Sequence, residues 1–168
     1  ARSLRPAGMI GSTVATDDLD RLSDPSALLD MAQEAIGDDP GYAGQLARRA
    51  HQVGIARHDR RVVARAAYLS AQAAALSGQL RDALELIGEA ESAYADIGAV
   101  PERIRVGLGR SHVLNELGRH AEALTAARAV VDQARVLDRA LIGESAVATL
   151  LGAGHQNCGL CLELLGRY

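Results

Sequence analysis

A short phrase returns along this chain, and the distance between its copies limits the folds open to it. It reads Gly78-Gln79-Leu80-Arg81-Asp82-Ala83-Leu84, then Gly118-Arg119-His120-Ala121-Glu122-Ala123-Leu124, and it starts a third time at Gly166-Arg167-Tyr168. The first two copies lie 40 residues apart and the third follows after 48; a fainter copy, Gly37-Asp38-Asp39-Pro40, precedes Gly78 by 41. Self-similarity at a period of roughly 20–50 residues is the trace that stacked repeats leave in a sequence. In such an array each unit buries its apolar face only against its neighbours.

The residues between the copies are those of closely packed helices. Of the 168 residues 48% are hydrophobic, which suffices for a core, yet there is no Phe and no Trp. The apolar content is mainly Ala, Leu and Val. Ala and Leu are strong helix formers, whereas strands favour β-branched and aromatic side chains. The spacing predicts an all-α chain. Asp24-Pro25 supplies an N-cap and a first-turn proline, and Leu28, Leu29, Ala32, Ala35 and Ile36 follow at helical intervals, with Gly37 expected to end this helix in a left-handed cap. Pro40 opens a second helix, with Tyr42, Leu46, Ala50 and Val53 on one face, and His58-Asp59-Arg60 breaks it. Further helices are expected over about 61–77, 80–97, 101–117, 120–137 and 140–165. Gly143, Gly152 and Gly154 interrupt the last of these, and a break is expected near Gly152 because an interior glycine costs about 1 kcal/mol relative to Ala. Residues 1–23 hold no helical period and read as a tail or loop; residues 24–168 form the array. Connections of a few residues force antiparallel neighbours. The chain starts at Ala1 and stops at Tyr168 on the threshold of a further helix, so it reads as a fragment truncated at its C-terminal end. Cys158, Leu162 and Leu165 are then expected to be left uncovered, with self-association or fraying at that end.

Charge excludes several functions. The net charge is −3 with both signs mixed along the chain, so nothing resembles the basic stripe of a nucleic-acid binder. All 18 basic residues are Arg. No apolar run approaches the length of a membrane span, and the N-terminus lacks the apolar stretch of a signal peptide. Two cysteines, three residues apart, make no disulfide framework, so a reducing cytoplasm is the expected compartment.

The repeat carries more than its glycine. Seven residues before each glycine stands a small residue, Ala71, Ser111 and Gly159; four before stand Ala74, Leu114 and Leu162; five after stand Ala83 and Ala123; two after stand Leu80, His120 and Tyr168. This pattern resembles the tetratricopeptide repeat, over about residues 25–168. The resemblance implies helix pairs in a right-handed superhelical solenoid, with small residues where the two helices of a pair approach. The chain departs from the pattern at Ala67 and Gly107, where a bulky side chain is usual, and in pairing Ala90 with Val130 at equivalent places. Units of about forty residues are similar to the repeats of bacterial proteins that carry a caspase-like peptidase, or CHAT, domain. Tyr94 to Tyr168 is the most similar stretch, above all Arg105-Val106-Gly107-Leu108-Gly109-Arg110 followed by Leu117-Gly118-Arg119.

Candidate sites are few. His155, Cys158 and Cys161 share a helix face at intervals of three and could offer three ligands to zinc, but a structural site needs four, and Cys158 falls at a packing position, so no metal is expected. The Cys-x-x-Cys lacks the strand–turn–helix setting of a redox motif. No Ser, His and Asp set has triad spacing, so no catalytic residue and no cofactor is assigned and the chain is not expected to be an enzyme. The repeat register instead points Arg65, Tyr68, Gln72, Arg105, His112, Asn115, Gln156 and Asn157, with Glu163, into a concave groove. Two arginines among hydrogen-bonding side chains suit an extended acidic peptide or a terminal carboxylate. The expected function is a protein-interaction scaffold that binds a peptide or partner domain. The resemblance implies the regulatory part of a larger caspase-like effector; the alternative is the ligand-sensing part of a bacterial transcription regulator.

Overall fold

The computed structural model describes residues 24–137 and 143–166. Within them lie seven helices and no strand: α1 Pro25–Ala35, α2 Pro40–Ala56, α3 Arg60–Leu76, α4 Leu80–Asp96, α5 Val100–Glu116, α6 His120–Arg135 and α7 Glu144–Leu164. The tail or loop expected over 1–23, the start of the last helix before Gly143, and Arg167 and Tyr168 lie outside the described residues. No described helix is long and apolar enough to cross a membrane.

The helices repeat at half the period visible in the sequence. From α2 to α6 they begin at Pro40, Arg60, Leu80, Val100 and His120, one every 20 residues. The cause is a turn used four times. The backbone N–H of Asp59, Gln79, Ala99 and Arg119 donates to the carbonyl five residues back, on Gly54, Ala74, Tyr94 and Leu114, at 2.8–2.9 Å. This bond closes a helix end only if the preceding residue is left-handed, and Gly78, Gly98 and Gly118 take φ of 76°, 68° and 73° there. In the first turn the place is held by His58 at φ 57°, the one non-glycine residue with positive φ among those described. Each turn ends on the residue that caps the next helix. Asp24, Asp39 and Asp59 do so with side-chain bonds to backbone N–H groups, while Gln79, Ala99 and Arg119 make none.

Two glycines behave otherwise than the sequence suggests. Gly37 is not left-handed: α1 closes through bonds from the N–H of Asp38 and Asp39 to the Ala35 carbonyl, and Asp39 then caps α2. Nor is there a break near Gly152, since α7 runs unbroken from Glu144 to Leu164. Gly154 sits in that helix because α6 lies against it. A Cβ there would come within 2.8 Å of Val131 Cγ2, so the residue is spent on close approach rather than on ending the helix.

Each helix packs on the next in sequence, and α1 with α3, α3 with α5, and α5 with α7 also touch. The core is accordingly spread along the array. Leu28, Leu29, Leu46 and Leu69 fill the first segment; Ala71, Ala83, Ile87, Ala90 and Val106 the second; Ile104, Val130 and Leu150, with Leu114, Leu124 and Cys161, the third. The small residues flanking Gly78 and Gly118 are buried, with Ala83 and Ala123 wholly inaccessible, whereas Gly159, at the equivalent place before Gly166, is exposed. Ser111 keeps its hydroxyl satisfied by donating to the Ala123 carbonyl at 3.1 Å. The departures from the repeat pattern are linked: Gly107 leaves room that Val130 occupies, a Cβ at 107 falling 2.9 Å from Val130 Cγ2, whereas the equivalent places in the preceding pair hold two alanines, Ala67 and Ala90.

Candidate functional site

On the side where the odd-numbered helices meet, α3 and α5 part to leave a cleft of about 610 Å³ floored by α4. Ala71, Ala75 and Leu76 of α3, Leu80 and Ile87 of α4, and Val113 of α5 make it apolar; Tyr68, Gln72, His112 and Glu116 are its polar groups. The arrangement follows from spacing. Tyr68, Gln72 and Leu76 stand at intervals of four on α3, as do His112 and Glu116 on α5, so each set runs down one helix face. Gly109 lets the two helices come together beside Tyr68, whose ring carbon Cε2 lies 3.5 Å from where a Cβ would stand.

Tyr68 ties the helices, its hydroxyl donating to the Arg105 carbonyl at 3.4 Å. Burial pushes its phenol up from the ordinary value, opposed by the Arg105 cation and by Gln72. The Gln72 Oε1 is buried and accepts no hydrogen bond. A buried acceptor without a donor is destabilising by about 1–3 kcal/mol, and here it borders an open apolar cleft. Leu76 at the rim is 61% exposed. The cleft therefore offers an apolar floor, with the Gln72 side chain and its inaccessible Oε1 at one edge.

Of the residues read from the sequence, Tyr68, Gln72 and His112 meet in this cleft and the others do not. Arg65 turns to α1 and pairs with Asp30 at 2.8 Å. The Arg105 side chain is exposed and does not line the cleft, which leaves Glu116 as its one formal charge. Neither arginine is among the side chains lining this cleft, though the Arg105 cation still acts on the Tyr68 phenol.

Asn115 is buried, not in the groove. Its Nδ2 donates to Cys161 Sγ at 3.2 Å, and its Oδ1 faces His120 Nδ1 at 3.2 Å. Three residues beyond His112 is about 300° of helical turn, which swings Asn115 toward α7; four residues is about 400°, which keeps Glu116 beside His112. Gln156 and Glu163 are exposed on α7, and Asn157 Nδ2 donates to the Leu108 carbonyl at 3.5 Å, so these belong to the α5–α7 contact or to its surroundings. Glu116 and Leu76 were missed, and extending each face by four residues would have found both.

His155, Cys158 and Cys161 do not gather. His155 is exposed, Cys161 is inaccessible beneath Asn115, and Cys158 packs half-buried near Leu124. Among the described residues no group of three His, Cys, Asp or Glu side chains is placed to hold a metal ion. Burial pushes the Cys158 thiol up, with Cys161 adding and Arg128 opposing, which disfavours the reactive thiolate. Leu162 and Leu165, expected to be bare, are also half-buried against the Leu114–Leu124 cluster; the exposed leucines of α7 are Leu160 and Leu164.

No known protein family, curated protein or solved structure matches this chain.

Proposed function

We propose that this chain is a protein-interaction module that takes an extended peptide into the cleft between α3 and α5. The observation that carries the reading is the buried, undonated Gln72 Oε1 at the edge of an apolar cleft. A peptide satisfies both needs: a turn of the Gln72 amide toward the cleft brings its Oε1 to a backbone N–H, while an apolar side chain covers Ala75, Ile87 and Val113. Glu116 favours a basic or neutral neighbour over an acidic one. Contacts between successive odd helices, with the even helices held farther apart, support a curved array whose inner face carries this cleft, in keeping with a right-handed superhelical solenoid of the tetratricopeptide kind. On the strength of the sequence resemblance, the module serves as the regulatory part of a caspase-like effector, recruiting or restraining it.

Selection of displayed random peptides against the chain tests the reading. Selected peptides are expected to share an apolar residue, and to lose binding to Gly109→Leu, which fills the cleft, and to Gln72→Leu. Peptides that bind these variants as tightly as the unaltered chain, or a library that yields no saturable binder, would overturn it.

A further inference from the structure

The other side of α5 borders a second cleft, about 520 Å³, between α4 and α6. Arg103, Gly107 and Arg110 line it at intervals of four and three along one face of α5, and Gly88, Glu91 and Gln133 face them. The two arginines differ in state. Arg110 is locked to Glu91 by two bonds, Nε to Oε1 at 2.9 Å and Nη2 to Oε2 at 2.5 Å, and this pairing raises its already high pKa. Arg103 makes no ion pair among the described residues. Its guanidinium donates to the neutral Gln133 Oε1 at 3.4 Å, a long bond for a cation. With Glu91 balancing Arg110, the half-buried Arg103 leaves the cleft one net positive charge. Gly88 leaves the α4 wall bare: a Cβ there would find nothing nearer than Arg110 Nη2 at 3.9 Å.

We propose that the α4–α6 cleft binds a carboxylate side chain of an acidic peptide segment, held between the Arg103 guanidinium and the Gln133 amide. Arg103 exchanges its long bond to a neutral oxygen for charge-assisted bonds to the carboxylate, and the Gln133 Nε2, a donor, completes the cradle. Glu91 stays on Arg110 and keeps that guanidinium fixed at the far end. The Cα atoms of Arg103 and Arg110 are about 10 Å apart along the helix, the length of roughly three extended residues, so a segment of that length fits the cleft with one carboxylate on Arg103. The site is separate from the α3–α5 cleft and does not depend on it.

The test is a titration of the isotope-labelled chain with a capped triglutamate peptide, with capped trilysine and inorganic phosphate as parallel probes. Triglutamate is expected to shift the amides of Gly88 and Gly107 and the side-chain amide of Gln133 saturably, and trilysine to shift none of them. Arg103→Ala is expected to weaken binding about tenfold or more, and Arg103→Lys to retain part of it. Gly109→Leu, which blocks the other cleft, is expected to leave it unchanged. Failure to saturate, binding indifferent to both Arg103 variants, or phosphate binding the same amides as tightly as triglutamate would overturn the assignment.

Discussion

Three glycines of α7 should respond to the same substitution with opposite signs. Gly154 faces α6, where a Cβ would stand 2.8 Å from Val131 Cγ2 and 3.2 Å from Val130 Cγ1. Optimal carbon contacts lie at about 3.5–4.0 Å, so the first overlap is close to an ångström. Val131 is 5% exposed, and a β-branched side chain in a helix has essentially one rotamer, so its methyl has little room to retreat. Forcing a methyl into a packed seam is destabilising by about 1–3 kcal/mol, of which helix propensity returns up to about 1 kcal/mol. Gly154→Ala is therefore expected to lower stability by about 1 kcal/mol. Gly152 and Gly159 have nothing within 4 Å of a Cβ. There only the propensity gain acts, and Gly152→Ala and Gly159→Ala should each raise stability by about 0.5–1 kcal/mol. Urea unfolding followed by helical circular dichroism, at unchanged m, reads the difference. A stabilising Gly154→Ala, or a Gly152→Ala that destabilises as strongly, would refute the placement of α7 against α6.

Other perturbations probe the repeat itself. Leu124→Ala, at a side chain 5% exposed beside Leu114 and Cys161, should lower stability by about 2–4 kcal/mol, while Arg119→Ala, which removes only the exposed pair with Glu122, should leave the unfolding midpoint within experimental error. His58→Gly should stabilise by about 0.5–1 kcal/mol, since it relieves a left-handed residue that the other three turns give to glycine; a loss of stability would mean that the His58 side chain holds the turn. Burial, with Glu102 adding, pushes the Tyr94 phenol to about 12. The unfolded chain ionises nearer the ordinary tyrosine value of 10.0, so this contribution is complete below that pH and is lost as the pH rises toward about 12. Tyr94→Phe should flatten the alkaline fall in stability, and an unchanged slope would show that Tyr94 ionises normally.

The helices were legible because glycine and Asp-Pro mark their ends in this chain, and because Ala and Leu recur where helices approach. The 20-residue period was not. A turn of this kind demands only a left-handed residue, which His58 supplies without glycine, and Gly98 lacks the Arg or Gln that follows Gly78 and Gly118. Side-chain identity repeats every 40 residues because odd and even helices meet different neighbours, whereas the backbone repeats every 20. At the site, Tyr68, Gln72 and His112 could be placed because they share faces of α3 and α5. Asn115 could not, since a step of three turns it onto Cys161, and Arg65 could not, since Asp30 lies far from it in sequence. Gln156 and Asn157 were assigned through a third copy 48 residues on; α7 ends two residues before Gly166 as α3 and α5 end before Gly78 and Gly118, yet Gln156 is exposed and Asn157 meets the Leu108 carbonyl.

The most direct test of the account is a map of where a selected peptide sits, read from amide shifts of the isotope-labelled chain at saturation. The account predicts that the largest shifts fall on Tyr68, Gln72, Gly109, His112 and Glu116, between α3 and α5, and leave α1 and the far end of α7 unmoved. Shifts centred instead along the exposed face of α7 or on α1, or a peptide without acidic residues that moves only the α4–α6 cleft, would contradict it.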